Sequence, residues 1–228
     1  MKYLLLILMC PCFLFSKIDV PNDFQIWNRS GFQCDLSKRF SLRYDMEYRY
    51  GNDSRELYLK IFEGGAIYTP NQYLQTKLGY RQMYDKEYGQ WFPALVPLGE
   101  IVLFIPIYRF LFLNRNRLEY RMVQSEGKNA VYLEEYDANS GIKFFLYRNR
   151  TTLFSPQLSR KLPINFYLSD EFFCQQGKGL NQNRVLVGLL IPLNQRMSAD
   201  LFFQKRFLKR EGQWYSQNIL GTYLNFFY

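Results

Sequence analysis

Histidine is absent from this 228-residue sequence, and its absence excludes several kinds of chemistry. Without an imidazole, the chain cannot form a Ser-His-Asp or Cys-His nucleophile system or a zinc site with histidine ligands. The acidic pairs do not compensate: Glu134-Glu135 falls in a long loop, and Asp170 and Glu171 point to opposite faces of one predicted strand. Glycine-rich phosphate loops and Asp-rich calcium loops are also missing. We therefore expect a protein that is not an enzyme, with no catalytic residue, cofactor or metal; a histidine-free enzyme is the least favoured alternative.

Cysteine is scarce too, with four residues in the chain. Two of them lie in the amino-terminal segment described next, which leaves Cys34 and Cys174. An exported protein enters an oxidising compartment, where two cysteines can form a disulfide. The predicted topology puts these two near opposite ends of the domain, too far apart for a bond. We expect both to be unpaired.

The amino-terminal apolar run, residues 3–15, is too short to cross a membrane as a helix. A positive amino terminus precedes it and Ser16 follows, which is the layout of a signal peptide. Cys10 and Cys12 suggest a lipoprotein, but neither follows the small residue that lipid attachment requires. We predict a signal peptide at 1–16 that is removed and a single barrel domain at 17–228.

A second apolar stretch, residues 94–113, is about as long as a transmembrane helix. The charged Glu100 and Arg109 would lie within such a helix, and Pro97 and Pro106 would disrupt it. A β-hairpin that turns at Tyr108 and Arg109 places the charge at the membrane surface instead. The hairpin is therefore the preferred interpretation.

Aromatic residues are abundant, at 19% of the chain, while the mean hydropathy is only −0.28. This combination fits strands that alternate between lipid-facing and lumen-facing side chains; a soluble aromatic-rich sandwich is the alternative. The formal charge of +9 comes mostly from Arg within strands rather than from a basic run. Nucleic-acid binding, which needs basic residues grouped on one face, is therefore not expected.

The final predicted strand, 217–228, has an apolar face at alternate positions that include Leu224, Phe226 and Tyr228. A chain that stops inside an aromatic strand is typical of a closed barrel whose last strand is paired. We expect these three residues to form the signal that the barrel-assembly machinery reads during insertion.

Alternation and turn residues predict an all-β fold, an antiparallel up-and-down transmembrane β-barrel of about 10–12 strands. The candidate strands are 24–34, 39–50, 56–68, 71–83, 92–107, 110–123, 141–154, 163–175, 182–193, 197–208 and 217–228. Tight connections alternate with longer polar ones along the chain, as in outer-membrane barrels. The predicted location is therefore the bacterial outer membrane, with its lipids and lipopolysaccharide as partners; the oligomeric state stays open.

Eleven strands conflict with the even number found in bacterial single-chain barrels. Ten strands close cleanly if the barrel starts at 39–50. The segment 24–34 would then plug the lumen or pair with a twelfth strand, for which 131–133 is the best candidate.

Parity along each strand predicts which charged side chains face the lumen, because an Arg on the lipid face near the membrane centre costs about 2–4 kcal/mol. The predicted lumen charge network comprises Arg43, Asp45, Glu47, Arg49, Arg115, Arg117, Glu119, Arg121, Arg148, Arg150, Glu171, Arg184, Asp200 and Arg206, with Lys77 and Arg81 beside it. The network either fills and stiffens a narrow barrel or lines a small selective pore.

Five segments together resemble an uncharacterised family of bacterial barrels, domain of unknown function 2490. They are NRNRLEYR at 114–121, YRNR at 147–150, DEFF at 170–173, NQNR at 181–184 followed by Gly188, and FQIW at 24–27. They cover nearly the whole mature chain in the family's order. The apolar stretch 93–106 departs from the polar strand that the resemblance leads us to expect there. The resemblance implies an outer-membrane β-barrel and brings no established activity.

The expected function is therefore that of an outer-membrane barrel with a structural or surface-interaction role and a lumen filled by side chains. A narrow, anion-preferring channel is the alternative, because Arg outnumbers the carboxylates in the predicted network.

Overall fold

The computed structural model describes residues 23–87, 89–123, 142–158, 163–210 and 212–228. These residues form eleven strands: β1 Phe24–Asp35, β2 Phe40–Gly51, β3 Glu56–Asn71, β4 Leu74–Glu87, β5 Gln90–Ile107, β6 Phe110–Val123, β7 Ile142–Phe154, β8 Asn165–Gln175, β9 Gly179–Asn194, β10 Met197–Arg210 and β11 Gln213–Phe227. Within the described ranges, no helix is long and apolar enough to span a membrane. The predicted signal peptide, the candidate strand 131–133 and the Glu134-Glu135 pair lie outside the described residues.

The strands close into one barrel in which sequence neighbours pair antiparallel, so the predicted fold class is confirmed. The exception is the closing pair, where β1 and β11 run parallel from Phe24 beside Asn218 to Gln33 beside Phe227. The expectations for 24–34 are therefore wrong: the segment is neither a plug nor the partner of a twelfth strand. Because the two terminal strands are hydrogen-bonded to each other in parallel, the barrel has no open edge although its number of strands is odd.

The strand connections fall at two ends of the barrel, which we call the turn end and the loop end. The turn end carries the connections after β1, β3, β5, β7 and β9, and the loop end carries those after β2, β4, β6, β8 and β10. Several connections at the loop end are shorter than predicted, because β4, β9, β10 and β11 continue into them. The carboxyl terminus lies at the turn end, where the Tyr228 amide donates to the Gln33 carbonyl at 2.9 Å.

The stretch 94–113 forms the predicted hairpin. Ile107 pairs with Phe110, and the turn between them is Tyr108 and Arg109. Tyr108 takes a left-handed backbone conformation with φ of 56° and has an exposed side chain. A two-residue turn favours positive φ, which explains how two long strands are joined so tightly.

The two faces of the barrel differ as the alternation predicts. Large apolar side chains on the outer face are exposed, including Leu42, Leu118, Leu201 and Leu224. Phe226 is also on this face and stacks on Phe32 of β1, with ring centroids 5.0 Å apart. This outer surface fits contact with lipid tails better than contact with water.

The lumen is filled in layers along the barrel axis. A cluster of buried apolar side chains lies toward the loop end and comes from the loop-side parts of β3 to β8: Tyr58, Leu59, Ile61, Met83, Ala94, Val96, Val123, Phe144, Leu146 and Phe173. Charged side chains fill the next layer toward the turn end. Cys34 and Cys174 are both unpaired.

Candidate functional site

Glu63 on β3 is one centre of the charged layer. Its carboxylate is 2% exposed and accepts hydrogen bonds from Lys77, from Arg81 Nη2 at 2.6 Å and from Arg117 Nη1 at 3.0 Å. These partners lie on the neighbouring strand β4 and on β6, three strands away. Three cations around one buried carboxylate indicate that the lumen is organised by side-chain charge.

Glu119 on β6 is the second centre and has no exposed surface. It accepts hydrogen bonds from Arg81 Nη1 at 3.1 Å and Arg148 Nη1 at 2.7 Å, while Arg121 Nη2 lies 2.8 Å from its other oxygen. Arg81 therefore bridges Glu63 and Glu119. The two centres form one network rather than two separate ion pairs.

Glu171 on β8 is the third centre. Arg148 Nη2 lies 2.9 Å from Glu171, so Arg148 bridges Glu119 and Glu171. Arg115 Nη2 approaches the same carboxylate at 2.5 Å, and Arg184 Nη1 lies 3.6 Å from it. The network thus runs across the barrel from β3 and β4 through β6 and β7 to β8 and β9.

A fourth group of charges surrounds Asp45 on β2. Arg29 and Arg43 each lie 3.1 Å from its carboxylate, and Tyr223 donates a hydrogen bond to it. Lys77 is 3.9 Å away and connects this group to Glu63. Asp45 therefore holds the closing strands β1 and β11 to β2 and to the rest of the network.

Glu47 and Arg49, the two remaining predicted residues of β2, form an ion pair at 2.6 Å. The Arg49 guanidinium also lies over the Trp27 ring, 3.7 Å from its centroid. This pair borders the charged layer on the loop side.

Three predicted network residues face the lumen and make hydrogen bonds to neutral side chains. Arg150 Nε donates to the Ser169 hydroxyl at 2.8 Å, Arg206 Nη2 donates to Gln182 at 3.1 Å, and Asp200 accepts a hydrogen bond from Tyr167 at 2.6 Å. Strand parity explains the result, because it fixes the face of a side chain but not the neighbour it meets.

Sequence reasoning missed Arg29, Glu63 and Glu100. Glu63 stands between Ile61 and Ile67 on an inner face that is otherwise apolar, so no charge alternation marks it. Glu100 lies in the apolar first strand of the hairpin, yet it accepts a hydrogen bond from Arg117 at 2.6 Å. The sequence did contain a signal for both residues. A carboxylate on a membrane-crossing strand must point into the lumen, even where it is the single charge on its strand face.

A cavity of about 350 Å³ lies within the lumen. Its lining residues come mainly from the strand parts next to the turn end, such as Gln33, Gln75 and Phe104. Nine Arg and one Lys line it, against three Glu and two Asp. The cavity is therefore a strongly cationic compartment on the turn side of the charged layer.

The described residues contain no group of three or more His, Cys, Asp or Glu placed to hold a metal ion. The central carboxylates of the network, those of Asp45, Glu63, Glu119 and Glu171, are each surrounded by cations, which makes them acceptors in ion pairs. This arrangement can hold the strands together and can attract anions.

The sequence profile of one family matches residues 24–217, from the start of β1 into β11, and its description is protein of unknown function (DUF2490). The chain belongs to the DUF2490 family. The resemblance seen in the strand motifs is thereby confirmed, and the matched region of this DUF2490 protein holds every charged residue of the network from Arg29 to Arg206. No curated protein matches the chain.

Proposed function

We propose that this DUF2490 protein is an outer-membrane β-barrel with a structural or surface-interaction role, whose lumen side chains close it to ion flow. The closed barrel and its apolar outer face support a membrane location. The proposed partners are outer-membrane lipids and lipopolysaccharide, with the assembly machinery acting on Leu224, Phe226 and Tyr228 during insertion. Nucleic acid and catalysis have no part in the proposal.

The observation that carries the proposal is the filling of the lumen from opposite walls. Val96 on β5 and Ile219 on β11 have no exposed surface, and these strands are on opposite sides of the barrel. Phe173 on β8 and Gln25 on β1 are equally buried from two further walls. A water column through this level would expose at least one of them, so the packing favours a closed barrel.

Ion conductance across a planar bilayer tests the proposal. The purified wild-type barrel should give no conductance steps across the voltage range. A matched variant, Phe173→Ala with Leu146→Ala, removes two of the largest fully buried side chains from the loop-side layer and reports whether that layer is the barrier.

The contrary result is stable anion-selective steps in the wild type that change when Arg115 is replaced by Glu. That result would favour the narrow anion channel, which the cationic cavity wall supports as the second candidate.

A further inference from the structure

The cationic cavity at the turn end holds more positive charge than its own carboxylates can offset. Ten cationic side chains and five carboxylates line it. Glu63 and Glu119 lie outside this lining but pair with four of the cations, which leaves a surplus of three positive charges. The protein interior screens charge weakly, so an uncompensated surplus of this size opposes the closed structure. An anion in the cavity would offset that surplus.

Arg150 is the cation with most capacity to bind such an anion. Its Nε bonds to Ser169, and no carboxylate of the described residues lies within ion-pair distance of its guanidinium. On the neighbouring strands, Arg150 lies opposite Arg115, which is itself a cation, and opposite Glu171. Glu171 forms its close ion pairs with Arg115 and Arg148 instead. Arg150 therefore points a largely unused planar donor group into the cavity.

Other lining residues also have unused donors. The Nε atoms of Arg29, Arg115 and Arg148 are among them: they are buried and donate no hydrogen bond. Arg29 lies on β1 and Arg150 on β7, on opposite sides of the barrel. An anion between them would receive hydrogen bonds from both walls, in the forked geometry that guanidinium groups offer to phosphate and carboxylate.

We propose that the cavity binds a phosphate-bearing anion that enters from the turn end. A phosphate carries more than one negative charge and accepts several guanidinium donors, which suits a surplus larger than one carboxylate can offset. The cavity volume of about 350 Å³ is within the range of small-molecule sites. The apolar layer toward the loop end makes the cavity blind, so the anion is held rather than passed. This inference goes beyond the proposed function.

Calorimetric titration of the folded barrel in a non-ionic maltoside detergent tests the proposal, because that detergent carries no phosphate. Pyrophosphate is the probe for a soluble anion, and short-chain phosphatidic acid is the probe for a lipid headgroup. Arg150→Gln is the test variant, since removing this Arg leaves every close ion pair of the network in place. Arg206→Gln is the matched control: it removes the same charge from an inward-facing Arg that does not line the cavity.

We expect pyrophosphate to bind the wild type and the Arg206→Gln variant alike, and to bind Arg150→Gln about tenfold more weakly, as the loss of a charge-assisted hydrogen bond implies. Binding of phosphatidic acid alone, with the same dependence on Arg150, also supports the site and identifies a lipid headgroup as the source of the phosphate. Absence of binding by both probes refutes the proposal, and so does equal affinity in the Arg150→Gln and wild-type barrels. Heat-dependent gel mobility confirms that each variant is folded.

Discussion

Replacing Glu119 by Leu should be among the most destabilising single changes in this barrel. The carboxylate is completely buried and accepts hydrogen bonds from Arg81, Arg121 and Arg148 at 2.7–3.1 Å. Leucine would leave these guanidinium groups close together without their shared anion. Breaking a buried ion pair by removing one partner costs about 3–5 kcal/mol in the free energy of unfolding.

The Glu119→Gln variant separates charge from shape. Glutamine keeps the size of the side chain and one carbonyl oxygen, but it removes the negative charge. If charge organises the lumen, this variant should show most of the loss seen with leucine. Glu56→Gln is the control, because the Glu56–Lys86 pair at 2.9 Å is partly exposed to solvent and contributes about 0–1 kcal/mol.

Urea unfolding of the barrel in detergent, followed by tryptophan fluorescence, measures these differences. Both Glu119 variants should lower the midpoint by at least about 1 M, given slopes of about 1–3 kcal/mol per molar urea, while Glu56→Gln should leave it nearly unchanged. A wild-type midpoint for Glu119→Leu would refute the argument, because it would mean that the surrounding guanidinium groups are solvated by water.

Two further predictions concern the membrane and the closing strand. Deleting residues 226–228 removes the Phe226–Phe32 stack and the Tyr228 bonds to β1, so assembly should fail; membrane fractionation with heat-dependent gel mobility would show this, and an unchanged yield of folded barrel would contradict it. In a background with Cys34 and Cys174 changed to Ser, an impermeant maleimide should label Asp53→Cys at the loop end in intact cells. It should label Lys38→Cys at the turn end only after the outer membrane is opened. Equal labelling of both in intact cells would argue against this orientation.

The sequence predicted the features that depend on local alternation. Side chains on a strand alternate between two faces, so the inward set on β2 and on β6, such as Asp45 and Arg117, follows from parity and the high energy of a charge in lipid. The hairpin at Tyr108 was predictable for a similar local reason, since the flanking prolines are incompatible with a membrane helix. The fold class followed from these patterns, and the family followed from the resemblance of five sequence segments to its members.

The tertiary structure decided the features that depend on closure of the barrel, namely the pairing of the terminal strands and the contacts across the lumen. The parallel pairing of β1 with β11 joins residues nearly 200 positions apart, and no local pattern specifies whether a terminal strand completes the wall or stays outside it. The neighbours across the lumen are also decided at this level: Arg81 reaches Glu119 and Arg117 reaches Glu63 from strands far apart in sequence. The sequence determines the face on which each charge lies, because side-chain direction is local to a strand. Only the closed barrel determines which charges meet and where a cationic cavity is left, because strand tilt and the order of the walls set the height and position of every inward side chain.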